Sequence, residues 1–404
     1  MPVTSLPDWI AQFAQPEHVW FAKRLSANDT LQTKAHQAGP YFPKDLLFRV
    51  LPALHDESVL NPRVALEAFI DSHPDVRTVT PIWYNGKLFG KTRNETRVTG
   101  WGGADSAVLD PASTGALAVF VFENGAEGPA SSLHVWVCDG YEDEVFEDVL
   151  GPVEPGRLLI WRPGEPIDLF STGSAFASCQ LRPSQMPESW LTGFPSGVDI
   201  VRKAVELRPL QSEKPDVRLL RRRDCEFEIF KAVEEAVEAP KVAAGFAGLG
   251  QFLGLAQTIL QRRKSRSGRS LELQAREIFI EEGLVDGLSF SHGGQSENGK
   301  KPDFLFPSAQ AYSDPSFPAD RLRMLAAKTT ARDRWRQILN EADRVQTKHL
   351  LTLQEGVSSS QFAEMKAAKV QLVVPAALID KYPQDVRSQL MTLDSFIYEV
   401  RTLA

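Results

Sequence analysis

The sequence predicts a multidomain α and β protein: a β-barrel-like or sandwich-like domain, then an α/β domain around a central mixed sheet. Three observations predict it. Up to about residue 175 the apolar residues alternate with period two, in short runs broken by Gly, Pro, Asn and Asp, as in strands joined by turns. Five prolines (Pro183, Pro187, Pro195, Pro209 and Pro215) then punctuate residues 176–220. Beyond them the spacing becomes helical, and strands and helices alternate with short links. The expected divisions are 1–175, a linker region at 176–205, and 206–404.

In chain order, ALAVFVFENG (116–125), SLHVWVCDG (132–140) and GRLLIWRPG (156–164) read as strands bounded by turns. The single helical period of this half lies at 62–71. A helix near 196–206 fits between the prolines. FEIFKAVEEAVEA (227–239), FAGLGQFLGLAQTILQRRK (246–264) and SLELQAREIFIEEG (270–283) follow at helical spacing, with Ser270 as an N-cap and Gly283 as a stop. The alternation then runs DFLF (303–306), LRMLAAK (322–328), a helix across 332–344, HLLTL (349–353), a helix near 358–368, VQLVVP (370–375) and a terminal helix.

The 404 residues are 43% hydrophobic and 24% charged, which reads as a soluble globular protein. No apolar run approaches the ~20 residues that cross a bilayer, and the start has neither the basic nor the apolar region of a secretory signal. Neither a membrane span nor an export signal is expected. Cys138, Cys179 and Cys225 are three in number and form no Cys-x-x-Cys, so a disulfide framework or cysteine-rich zinc site is not expected. A reducing cytoplasm is the natural setting.

The net charge of −7 is unevenly spread. Residues 102–200 carry 3 basic and 15 acidic side chains, including EDEVFED at 142–148. Residues 21–101 carry 11 basic against 8 acidic, and residues 201–404 carry 31 against 27. Solvated charged faces are the commoner meaning of such a spread. The sharper reading is basic patches in both halves that face a polyanion, since local patches and not net charge meet phosphates.

Two glycine-rich stretches are set aside. GGQSENGKK (293–301) has Lys301 where a phosphate-binding loop needs Ser or Thr for magnesium, and a strand follows where a helix is required. GFAGLG (245–250) has no strand before it. No nucleotide cofactor is therefore expected. The seven histidines show no metal-ligand spacing.

The residues that carry chemistry lie in the second half. Asp303 begins a strand after a proline in KKPDFLFP. Lys328 ends the next strand in LRMLAAK, and Glu341 follows 13 residues later in RDRWRQILNEADR. Phosphodiester hydrolysis needs a divalent cation on hard oxygen ligands and a cation to position water and offset developing charge. Two carboxylates and a lysine supply that set. The nuclease signature Pro-Asp…(Asp/Glu)-x-Lys would place an acid at 326, on the face shared with Lys328. Ala326 stands there, so Glu341 is the candidate second ligand. Glu272, expected at the start of a helix, adds an outer oxygen.

At these residues the chain resembles the EcoRII-type restriction endonucleases. The resemblance rests on KRLSANDT (23–30), FGKTRNETR (89–97), RRKSRSGRSLEL (262–273), KKPDFLFPSA (300–309), KTTARDRWRQILNEAD (328–343) and LTLQEGVS (351–358). It implies a Mg2+-dependent homodimer with a C-terminal restriction-endonuclease-like domain. Asp303 and Glu341 would be metal ligands, and Lys328 and Glu272 would complete the catalytic set. It also implies an N-terminal pseudobarrel effector domain, like that of plant B-three transcription factors. Such enzymes cut double-stranded DNA at CCWGG, W being A or T. They are stimulated by a second copy of the site at the effector domain, which otherwise is held over the catalytic cleft.

The resemblance also assigns DNA contacts. Arginine pairs with guanine and a carboxylate accepts from cytosine, so Arg332, Asp333 and Arg334 suit adjacent G·C pairs. By residue chemistry alone, a solvated charged helix start fits them as well. Asp333 is a methylene shorter than the glutamate of many relatives. Arg223 and Phe227, four apart, would sandwich a flipped-out central base; Phe227 fits a core position too. Arg262, Arg263, Lys264, Arg266 and Arg269 are apt for phosphates, with Gly268 suggesting a loop. In the effector half the candidates are Lys23, Arg24, Asn28, His36, Tyr41, Lys91, Arg93, Asn94, Glu95 and Arg97. WGGADSAVLDP (101–111) lacks the basic character expected after the second motif, which points to weaker effector binding. The rivals are a sequence-specific DNA-binding regulator with an inactive nuclease domain and a non-specific nuclease. Intact Asp303, Lys328 and Glu341 argue against the first, and Arg332–Arg334 against the second.

Overall fold

A computed structural model describes residues 5–33, 39–164, 168–171 and 179–403. It divides into two compact units. One comprises residues 1–174 with 354–363 and 380–388; the other comprises 175–353, 364–379 and 389–404.

The first unit is a curled half-barrel sheet of eight strands. These are β1 (Val19–Arg24), β2 (Leu66–Ile70), β3 (Asp75–Tyr84), β4 (Glu95–Thr99), β5 (Leu117–Phe122), β6 (Leu133–Val137), β7 (Arg157–Trp161) and β8 (Asp168–Ser171). Their order is β4-β3-β2-β6-β5-β1-β7-β8, with β2 and β6 parallel and the remaining neighbours antiparallel. Side chains of a strand alternate between faces, so the all-apolar central strands feed two cores. Val19 and Phe21 join Phe120 and Phe122 on one face. Trp20 and Ala22 join Leu117, Val119 and Val121 on the other, beneath Trp9, Phe13, Phe146 and Leu150. The helix expected at 62–71 is not formed. Leu66, Ala68 and Ile70 also alternate with period two, and the sheet takes them as strand β2 with all three side chains buried.

The second unit carries a mixed five-stranded sheet of order β13-β12-β11-β10-β9: β9 (Ser291–His292), β10 (Phe304–Phe306), β11 (Arg323–Ala327), β12 (Lys348–Leu351) and β13 (Val370–Val373). Strands β9 to β11 are antiparallel, and β11 to β13 are parallel. Leu271, Ala275, Ile278 and Phe279 cover one face together with the terminal helix Leu393–Leu403.

Four expectations are corrected here. Ser270 is not an N-cap, and residues 262–269 are not a loop. The helix Leu249–Glu281 runs through both, because Arg262, Arg263 and Arg266 pair with Glu238, Glu234 and Glu226 of the neighbouring long helix and Ser270 Oγ donates to Glu226 at 2.9 Å. Glu272 therefore lies in mid-helix. The helix expected across 332–344 is only one turn, Arg334–Gln337, with a tight turn at Ile338–Asn340, and Arg332 and Asp333 precede it. The chain leaves the helix there because Ala342, with φ of 50°, and Val345 are drawn into the core. Finally, Cys179 and Cys225 form a disulfide, S–S 2.05 Å. The helix Gly197–Leu207 and the segment around Met186 pack on the long helix Pro215–Ala243, bringing both cysteines into one apolar cluster. No described helix is long and apolar enough to cross a membrane.

Candidate active site

Asp303 stands immediately before β10, and Lys328 immediately after β11. The antiparallel register opposes Phe304 to Leu325, which brings these two strand ends together. Asp303 Oδ2 accepts from the Ala327 amide at 2.7 Å and from Lys328 Nζ at 3.2 Å. The Lys328 amide in turn donates to the Leu351 carbonyl at 2.9 Å, tying it to the parallel part of the sheet. Ala326 is fully buried, so an acid at that position would lie in the core.

Glu341 lies beyond the short helix in extended backbone. Its carboxyl carries no hydrogen bond or ion pair among the described residues. Burial pushes it above the usual carboxylate range; Lys328 pulls it down and Asp303 pushes it up, which places all three within electrostatic reach. Glu272 bonds His292 Nε2, and the His292 ring stacks on Phe304 with centroids 5.2 Å apart. His292 opposes Phe304 in the register, so Glu272 reaches the strand beside Asp303.

The structure thus brings Asp303, Lys328 and Glu341 together and joins Glu272 to the same corner of the sheet through His292. No described group of three or more His, Cys, Asp or Glu forms a ready-made metal site. The two acids nevertheless fit a hard cation. Among the described residues neither Asp303 Oδ1 nor the Glu341 carboxyl has a hydrogen-bond partner, and a half-buried carboxylate whose oxygens accept no hydrogen bond is what a divalent cation with water ligands relieves.

The DNA-contact candidates divide sharply. Arg332 and Arg334 are half-buried and Asp333 exposed, on the turn that follows Lys328; Asp333 pairs with Arg336 at 2.9 Å. Arg223 and Phe227 are buried on one helix face, and the Arg266 guanidinium lies 4.6 Å from the Phe227 ring. Arg262 pairs with Glu238 at 2.8 Å, Arg263 with Glu234 at 2.9 Å, and Arg266 with Glu226 at 2.7 Å. These cations bind one long helix to the other. Lys264 and Arg269 are exposed. A cavity of about 420 Å³ beside them is lined by Glu226, Phe230, Arg262, Arg266 and Arg269.

In the first unit, Lys23 pairs with Asp29 at 2.8 Å, both buried. Arg24 is 6% exposed and bonds Asp143, Glu147 and the Val153 carbonyl. The acidic run 142–148 is therefore the partner of Arg24 as well as a solvated face. Asn28 is exposed and accepts from Thr33 at 3.0 Å. His36 lies outside the described residues. Tyr41 is 40% exposed. Lys91 and Arg93 are exposed, with Arg93 5.3 Å from the Tyr84 ring. Asn94 accepts from Trp83 Nε1, and Glu95 lies between Arg93 and Arg97.

Sequence reasoning missed the groups around Glu341. Lys348 Nζ donates to the Ala342 carbonyl, Lys300 Nζ to that of Asn340, and Glu297 accepts from Tyr312 and the Asp343 amide. No motif announces them, since each is a common residue placed by the fold.

The model for the N-terminal region of restriction endonuclease EcoRII matches residues 14–165, and the EcoRII C-terminal model matches 230–397. The chain is 43% identical to the type II restriction enzyme EcoRII of Escherichia coli over 401 residues, which covers 98% of this chain and 97% of that protein. Among solved structures it is similar to metal-depleted Ecl18kI with uncleaved, modified DNA. That match has TM-score 0.45 and 17% identity, over 52% of this chain and 80% of that one. It is also similar to a PspGI–substrate DNA complex, at TM-score 0.43 and 16% identity, over 53% and 95%.

Proposed function

This chain belongs to the EcoRII family of type II restriction endonucleases, and from that premise we propose that it cuts double-stranded DNA at CCWGG with Mg2+, as a homodimer held in check by its N-terminal unit. The observation that carries the reading is the Asp303–Lys328 contact at adjoining strand ends, within electrostatic reach of the Glu341 carboxyl, which no described residue bonds. Asp303 and Glu341 offer the oxygens that hold the cation. A divalent cation bound there supplies the Lewis acidity for attack on phosphorus and lowers the pKa of bound water. Lys328 Nζ has three donors and gives one to Asp303. Its others steady the attacking oxygen and offset charge on the phosphate as the P–O bond breaks. Glu272, oriented by His292, supports the water around the ion.

Arg332, Asp333 and Arg334 would read the G·C pairs. Arg223 and Phe227 would hold an extruded central base. Lys264 and Arg269 are placed for phosphates. Residues 1–175 would form the effector domain and 206–404 the catalytic domain, joined by 176–205. On the effector side the exposed Asn28, Tyr41, Lys91, Arg93 and Asn94 would make contacts, together with the half-buried Glu95 and Arg97. Lys23 and Arg24 act as internal supports.

The first unit includes two segments of the C-terminal half. The Ala27 amide donates to the Glu355 carbonyl at 2.9 Å. Gly356, with φ of 111°, lies so close that a Cβ would stand 2.4 Å from that of Ala27. Association of two copies is supported by the stretch 242–261, which contains no charged residue and exposes Val242, Leu249, Phe252 and Leu253. Acting on DNA, the enzyme would work in the cytoplasm.

The test is digestion of plasmids carrying one or two CCWGG sites with Mg2+, followed by mapping of the ends, for the full chain and for a truncation lacking residues 1–174. The full chain should prefer two sites, and the truncated chain should cut both plasmids alike. Cleavage at unrelated sequences, or a folded truncation that is silent, would refute the corresponding part.

A further inference from the structure

The backbone that presents Glu341 is held in an uncommon conformation, and the groups that hold it are lysines with no part in the reaction just described. Ala342 sits at φ of 50°, a region that residues with a Cβ rarely enter. Its carbonyl accepts from Lys348 Nζ at 2.5 Å, and Lys348 is only 6% exposed. On the other side of Glu341, the Asn340 carbonyl accepts from Lys300 Nζ. The Asp343 amide donates to Glu297 at 3.2 Å, and the Arg344 amide to Tyr312 Oη at 3.2 Å. Every neighbour of Glu341 is pinned while its own carboxyl is not. Lys348 begins β12, which pairs with β11, the strand just before Lys328; Lys300 lies three residues before Asp303.

We propose that Lys348 is a positioning residue for the metal site: its buried ammonium fixes the left-handed turn at Ala342 and so sets Glu341 opposite Asp303, with Lys300 clamping the preceding residue. This rests on the reading of Asp303 and Glu341 as metal ligands. Partners that orient metal ligands are worth roughly 10–100-fold in metal affinity.

The experiment is Mn2+ binding to the full-length protein, followed by electron paramagnetic resonance, beside the Mg2+ concentration that half-saturates cleavage. Lys348→Met should weaken Mn2+ binding by roughly 10–100-fold, shift the Mg2+ requirement in parallel and leave binding to CCWGG DNA unchanged. Adding Ala342→Gly should restore part of the loss, because glycine adopts the turn without the clamp. If Lys348→Met fails to fold, Ala342→Val, which opposes the turn from outside the buried pair, should give the same Mn2+ deficit. A folded Lys348→Met or Ala342→Val protein that binds Mn2+ as the wild type does overturns the proposal. A wild type that binds no Mn2+ overturns the metal reading on which it stands.

Discussion

In the eight-stranded unit Arg24 on the sheet is neutralised from within, whereas in the five-stranded unit Asp303 and Glu341 keep carboxylate oxygens that no described residue bonds. Arg24 ends β1 between Asp143 and Glu147 and is hardly exposed. Among the described residues nothing bonds the second oxygen of Asp303 or the carboxyl of Glu341. Burying a charge is costly unless it is paired. A paired buried charge therefore reports on the fold, and an unpaired half-buried acid reports on something the protein is built to hold. The helix pair shows the first case again: Arg262, Arg263 and Arg266 look like a phosphate track in the sequence and are ion pairs in the structure.

The sharpest way to break this contrast is at the unpartnered site. Lys328→Ala should lower the cleavage rate by roughly 10²–10⁴-fold while specific DNA binding, measured by gel shift without metal, persists. Normal plasmid cutting by that variant would remove the site from the reaction. Arg24→Ala tests the opposite pole. It strands Glu147 and Asp143 and should cost about 3–5 kcal/mol of stability in urea unfolding, with no direct effect on the chemical step. A loss within half a kcal/mol would mean the network is ornamental.

His349 gives a third, slightly smaller effect. Its imidazole is buried against Phe396, and burial pushes its pKa down to about 4. The fold keeps it neutral, while the unfolded chain takes a proton near its ordinary value of about 6.5. Between those values the unfolded state binds more protons, so this contribution to stability, full above pH 6.5, is lost as pH falls toward 4, by about 3 kcal/mol. In His349→Leu that share of the pH dependence should vanish. Equal slopes in the two proteins would place the titration elsewhere. The smallest effect belongs to an exposed cation of the first unit. Lys91→Ala should weaken effector-site binding evenly across sequences and reduce its salt dependence by about one phosphate contact, read by fluorescence anisotropy at several salt concentrations. An unchanged salt slope would move the contact off Lys91.

Much of the molecule was legible in advance. The strands at 117–122, 133–137 and 157–161 lie within runs whose alternation and bounding turns marked them, and those at 304–306, 323–327, 348–351 and 370–373 fall on the apolar runs that alternate with helices. Asp303 and Lys328 were legible because an acid and a lysine at adjoining strand ends are a local pattern. The strand at 66–70 was misread because a short apolar run satisfies both periods, and only its neighbours in the sheet choose between them. Likewise Gly268 and the serines suggested a loop, whereas packing against the other long helix carried the helix straight through.

The sequence by itself determined the two-part architecture, the family and the residue types of the candidate site, because periodicity and motif are written in neighbouring positions. Tertiary structure alone decided which charges are partners and which are bare: Arg24 with Glu147 across 123 residues, Cys179 with Cys225 across 46, Lys348 on the turn that carries Glu341. Such pairings depend on distance in space. Desolvation makes the charged pairings consequential only once the chain has folded and water has been removed.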